Sequence, residues 1–194
     1  MYSATMWLEL FLLELSKPQR GVIYIENKIQ FWELHWSGMN IMPNTYSQIY
    51  VQVIFAVKGR ENMINPNFSD ELYKYITGIV TNKGQKLIAI NGMPDHIHIL
   101  LNIKPSQSLS DLVRDIKTNS SRFINEKQWV NQTFRWQTGF GAFSYSKSQL
   151  RTVIGYINNQ QKHHSKKSFR EEYIDFLEKF DVDFDLKYLP ENIT

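Results

Sequence analysis

The chain of 194 residues contains no cysteine, which removes disulfides, thiolate metal sites and thiol nucleophiles together. It also lacks any apolar run near the ~18 residues that a membrane-spanning helix needs. The greasiest stretch, residues 7–15, carries Glu9 and Glu14 and follows no basic residue, which argues against a secretory signal. Internal repeats and low-complexity tracts are absent. With 42% hydrophobic and 21% charged residues, the composition is that of a globular domain with one sizeable core.

Acidic residues are scarce in one region. Residues 104–170 hold twelve Lys and Arg against three acids, whereas residues 171–194 hold two Lys against eight acids. Such segregation points to a polyanion-binding surface with a separate acidic end, although a basic block alone is more often a solvated helix face.

Ser47 to Val57 places Ile49, Val51, Val53, Phe55 and Val57 on one side at period two, and Tyr50, Ile54 and Ala56 on the other, which predicts a central strand. A helix follows from Asp70 to Asn82, then a hairpin of strands over 86–91 and 96–103 joined through Gly92 to Asp95. Ser108 or Ser110 caps a second helix reaching Lys127, Ser144 and Tyr145 close a fourth strand, and a third helix runs from Ser146 or Ser148 to about His163. Residues 169–180 form a last helix. The order predicts an α+β, ferredoxin-like βαββαβ fold, an antiparallel sheet with both of its helices on one face, followed by a further helix. Residues 1–41 hold three of the five tryptophans without a clear period. They are expected to be an appendage or the product of an upstream start, with the domain itself spanning 42–194.

The strongest local signal is Asp95-His96-Ile97-His98-Ile99-Leu100. On a strand, His96 and His98 project from one face while Ile97 and Ile99 enter the core. Two imidazoles so spaced suit one divalent metal, or simply pack on the strand. Leu100 occupies the next position on that face, where a nucleotide-hydrolase histidine triad would require a third histidine. Downstream, Tyr156 and Gln160 stand at i and i+4 on a predicted helix, offering a phenol and an amide oxygen on one side.

These elements, with Asn91-Gly92-Met93-Pro94 and Trp136-Gln137-Thr138-Gly139-Phe140-Gly141-Ala142-Phe143, resemble the single-tyrosine HUH transposases of small bacterial insertion sequences over nearly all of residues 44–188. The resemblance implies that His96, His98 and Gln160 hold one Mg²⁺ or Mn²⁺. It implies that Tyr156 is the nucleophile, forming a covalent 5′-phosphotyrosine and a free 3′-OH on single-stranded DNA. It further implies a homodimer in the bacterial cytoplasm that recognises DNA hairpins and drives transposition. A palindrome-processing enzyme of the host chromosome and a non-catalytic hairpin-binding module are the alternatives.

Histidine and amide ligation without a carboxylate would leave the metal's charge available to a phosphate. Arg114, Lys117, Arg122, Arg135, Lys147, Arg151, Lys166 and Lys167 are candidate DNA contacts, and His163 and His164 are either spare metal ligands or, as expected of a basic segment, solvated phosphate contacts. Phe134, Trp136, Phe140, Phe143 and Tyr145 either stack on bases or fill the core. Asp95 orients His96 or forms the turn.

Overall fold

The computed structural model describes residues 46–164, 168–185, 187 and 189. The expected appendage of residues 1–41, together with Lys166 and Lys167, lies outside them. Strand β1 (Ile49–Ala56) leads through a 3₁₀ turn to helix α1 (Pro66–Asn82), the hairpin β2 (Lys86–Met93) and β3 (His96–Ile103), and helix α2 (Leu109–Glu126). Strand β4 (Gly141–Tyr145) completes the sheet, and α3 (Leu150–Asn158), α4 (Gln160–His164) and α5 (Phe169–Lys179) follow.

The four strands run antiparallel in the order β2-β3-β1-β4. That is the interleaved order of two βαβ halves, so the ferredoxin-like expectation agrees with the structure. Alternation along the strands sorts side chains to two faces. Val51, Val53, Phe55, Ile97, Ile99 and Leu101 join the buried stripes of α1 and α2 in the principal core. The opposite face presents Ile54, Ala56 and Phe143 to α5, and Ala89 and Leu100 to Val153 and Ile157 of α3.

Several boundaries depart from the periodicity for local reasons. Helix α1 starts at Pro66, four residues early, because the Asn65 side chain accepts from the Asn67 amide and proline suits the first helical turn. Ser108 caps α2 as expected, accepting from Asp111 N at 3.3 Å. Strand β2 continues through Gly92 and Met93, which pair with Ile97 and His96. A Cβ on Gly92 would collide with the His96 carbonyl oxygen and lie 2.8 Å from Ile97 Cα, so this close approach needs glycine. The continuous tyrosine helix is corrected: it breaks at Asn159, which leaves helical geometry between α3 and α4. No helix among the described residues is long and apolar enough to cross a membrane.

Candidate metal and nucleophile site

His96 and His98 begin β3 on the face turned away from the principal core, and both are buried. Their Nδ1 atoms point to partners that fix each ring. His96 Nδ1 lies 2.7 Å from Asp95 Oδ1, and Asp95 is in turn held by the Arg60 guanidinium. Burial alone would raise the Asp95 carboxyl, but the His96 and Arg60 contacts overcome this and hold it at about 2. His98 Nδ1 lies 2.9 Å from the amide of fully buried Gln52 on β1, whose oxygen accepts from Tyr145 Oη at 3.0 Å. The Tyr145 phenol, raised to about 12 by burial, remains a hydrogen donor at neutral pH. With both Nδ1 atoms engaged, the two Nε2 atoms face inward.

They meet His164, one of the two spare-ligand candidates, and Glu172, which sequence alone does not place there. His164, at the end of α4, brings its Nε2 to 3.1 Å from His96 Nε2. Glu172, on α5 and 2% exposed, sets Oε2 at 3.8, 3.4 and 3.2 Å from the Nε2 atoms of His96, His98 and His164. The four ligand atoms lie within 4.8 Å of one another, a grouping that could hold a metal ion. The other carboxylate oxygen, Oε1, accepts from the Tyr156 hydroxyl and, at 3.2 Å, from Gln160 Nε2. Thus all four expected central residues, His96, His98, Tyr156 and Gln160, converge within one chain, and Glu172 links them.

Two expectations are corrected. The site contains a carboxylate, so its charge is not that of imidazoles and amide alone. His164 is not a solvated phosphate contact, because it packs against His96 with ring centroids 4.7 Å apart. By composition Glu172 belongs to the acidic tail, yet the sequence carries a signal for it. It shares the buried face of α5 with Phe169 and Phe176, and a carboxylate among apolar positions needs a reason.

The wider cationic and aromatic candidates divide. On α2, Arg114 pairs with Asp111 and Asp115, Arg122 pairs with Glu126, and Lys117 Nζ donates to the Gln137 and Gly139 carbonyls at 2.5 and 2.7 Å. Lys117 therefore holds a loop. Arg135, Lys147 and Arg151 are exposed. Phe134, Trp136 and Phe143 are core residues, while Phe140 and Tyr145 are half-buried.

Two cavities adjoin the cluster. One of about 870 Å³ runs past Arg60, Arg135, Trp136, Phe140 and Phe169, and Phe169 stacks on the His96 ring at 4.2 Å. A second, of about 200 Å³, is lined by Gln52, Tyr145, Tyr156, Glu172 and Lys179.

Residues 45–160 match the family model described as "Transposase IS200 like". A curated relative, the ISDra2 transposase TnpA of Deinococcus radiodurans, is 27% identical over 120 residues, covering 58% of this chain and 84% of that protein. Among solved structures, the REP-associated tyrosine transposase bound to a REP hairpin aligns at TM-score 0.50 and 16% identity, over 77% of this chain and 96% of that one. A transposase structure from Deinococcus radiodurans R1 aligns at TM-score 0.49 and 24% identity, over 60% and 94%.

Proposed function

The chain belongs to the IS200-like transposase family, and we propose that it cleaves and rejoins single-stranded DNA through Tyr156. The observation that carries this reading is the shared carboxylate: Glu172 accepts from the Tyr156 hydroxyl with one oxygen and faces three imidazole Nε2 atoms with the other. A nucleophile and a candidate metal centre therefore meet across a single side chain.

The donor set fits a divalent cation. His98 Nε2 and Gln160 Oε1 are buried polar atoms without a hydrogen-bond partner, an arrangement that is costly unless something else satisfies them. His96, His98 and Gln160 would hold the ion, Mg²⁺ or Mn²⁺ on the family resemblance. When bound, it would polarise a non-bridging phosphate oxygen and stabilise the charge that builds in the transition state.

A free phenol titrates near ~10 and is a weak nucleophile at neutral pH. Glu172 Oε1 lies where it takes the phenolic proton as the Tyr156 oxygen bonds to phosphorus. The bond from phosphorus to the 3′-oxygen breaks, and that oxygen leaves as a 3′-hydroxyl after protonation. The product is a 5′-phosphotyrosine on Tyr156. One phosphodiester replaces another, so attack by a 3′-hydroxyl reverses the step and rejoins DNA without a nucleoside triphosphate.

The substrate assigned is single-stranded DNA carrying a hairpin, bound by a homodimer. The bound hairpin in the REP-associated relative supports the hairpin assignment. Arg135 and the half-buried Phe140 along the larger cavity supply cationic and stacking contacts for the strand.

Incubation of the full chain with end-labelled hairpin DNA and a divalent cation tests the reading. A covalent adduct that survives SDS is expected from the parent protein. Tyr156→Phe should bind the hairpin and yield none. An adduct formed by Tyr156→Phe would remove the assignment and direct attention to Tyr145.

A further inference from the structure

Four ligand atoms, from β3, the end of α4 and the buried face of α5, surround one point, and the spacing among them is selective. Ligands 2.0–2.1 Å from one cation at tetrahedral angles stand about 3.3 Å apart. The Nε2 atom of His164 lies 3.1 Å from that of His96, and Glu172 Oε2 lies 3.2, 3.4 and 3.8 Å from the three imidazoles. Those four of the six separations lie near the tetrahedral value, and all six are within 4.8 Å. Three imidazole nitrogens turned on one another and on one carboxylate oxygen, in a largely buried site, form the donor set of a metal centre.

We propose that His164 and Glu172 are two further ligands of the cation, making a three-histidine, one-carboxylate centre that takes a nitrogen-preferring first-row ion such as Zn²⁺ or Co²⁺ in preference to Mg²⁺. The proposal rests on the reading that His96 and His98 bind a cation. Mg²⁺ favours oxygen donors in octahedral array and gives up water reluctantly, whereas imidazole suits the later transition metals. Gln160 Oε1 and a phosphate oxygen remain to extend the coordination. Glu172 retains its Oε1 on the Tyr156 hydroxyl while Oε2 ligates, so the metal ligand also sets the phenol beside the cation. The α4–α5 segment, which follows the tyrosine helix in sequence, thereby closes the site from the same chain.

The test measures binding on the full chain after chelator treatment. Titration calorimetry with Zn²⁺, Mn²⁺ and Mg²⁺ gives the affinities, and visible absorption of added Co²⁺ reports its coordination. The parent should bind Zn²⁺ and Co²⁺ at least a hundredfold more tightly than Mg²⁺ and give the intense Co²⁺ bands of a low-coordinate, nitrogen-rich site. His164→Ala and Glu172→Gln should each weaken Co²⁺ binding tenfold or more and shift those bands. Glu172→Gln preserves volume, so its unchanged thermal unfolding separates lost ligation from lost fold. Parental affinity and spectrum in both variants, with binding abolished by His96→Ala, would overturn the additional ligands and leave the His96–His98 site standing. Parental binding in His96→Ala and His98→Ala would overturn both.

Discussion

Asn91 and His98 stand opposite one another in the β2–β3 register, and both bear on the tyrosine helix. Asn91 Nδ2 donates to the Ile157 and Asn158 carbonyls at 3.0 and 3.1 Å, satisfying orphan carbonyls where α3 ends. His98 lies edge-on to the Tyr156 ring, with centroids 5.9 Å apart. One strand pairing therefore sets an imidazole and the end of the helix that carries the phenol. A slip of one residue would turn both away.

Asn91→Leu removes those two hydrogen bonds and leaves two carbonyls unpaired. Stability should fall by about 1–3 kcal/mol in urea unfolding, and the rate of adduct formation should fall at least tenfold with hairpin affinity within twofold of the parent. A parental cleavage rate would show that the helix end needs no anchor on β2.

Gln52 governs the second imidazole. Its amide nitrogen lies 2.9 Å from His98 Nδ1 and its amide oxygen accepts from Tyr145 Oη, so the amide fixes the ring whose Nε2 faces the cluster. Gln52→Leu should lower cation affinity by about 10–100-fold, the usual effect of losing a ligand's supporting partner, with Tyr145→Phe milder. Calorimetric titration decides between this and a purely packing role, in which affinity would not move.

Acid should weaken the fold through the histidine cluster. The His96 imidazole is pushed down to about 3, chiefly by burial, with His98 and His164 adding and Asp95 opposing. The unfolded chain takes that proton near ~6.5, so between these values it holds more protons than the native chain. Stability is then complete above the unfolded value and lost as pH falls towards 3. For one such group the chelator-treated protein should be about 2 kcal/mol less stable at pH 5 than at pH 7. Equal urea midpoints at the two pH values would contradict this.

Two cations of the basic block should behave differently. Lys117, half-buried on carbonyls of the Gln137–Gly139 loop and lowered in pKa by that burial, acts on the fold. Lys117→Met should lower the melting temperature and leave the salt dependence of hairpin binding intact. Arg135→Ala should leave melting unchanged and reduce the salt slope by about one. Interchanged results would assign Lys117 to DNA.

Much of the architecture is legible in local pattern. Alternation over His96–Ile103 divides His96 and His98 from the core-facing Ile97 and Ile99 because a strand has a fixed period of two, and it needs no knowledge of what lies opposite. Ser108 as a cap and the βαββαβ order follow from equally local chemistry. The rest depends on contacts far apart in sequence. Glu172 belongs by composition to an acidic tail, and only packing of α5 against Ile54, Ala56 and Phe143 carries it over the imidazoles. Lys117 belongs by composition to a DNA-binding block, and only the path of the Gln137–Gly139 loop commits it to carbonyls. The break at Asn159 likewise coincides with Asn91 meeting the last carbonyls of α3. Sequence pattern determines which face a residue takes on its own element, because that is backbone geometry; which partner it meets there is decided by tertiary packing, because burial makes a charge or an amide seek the nearest group that satisfies it.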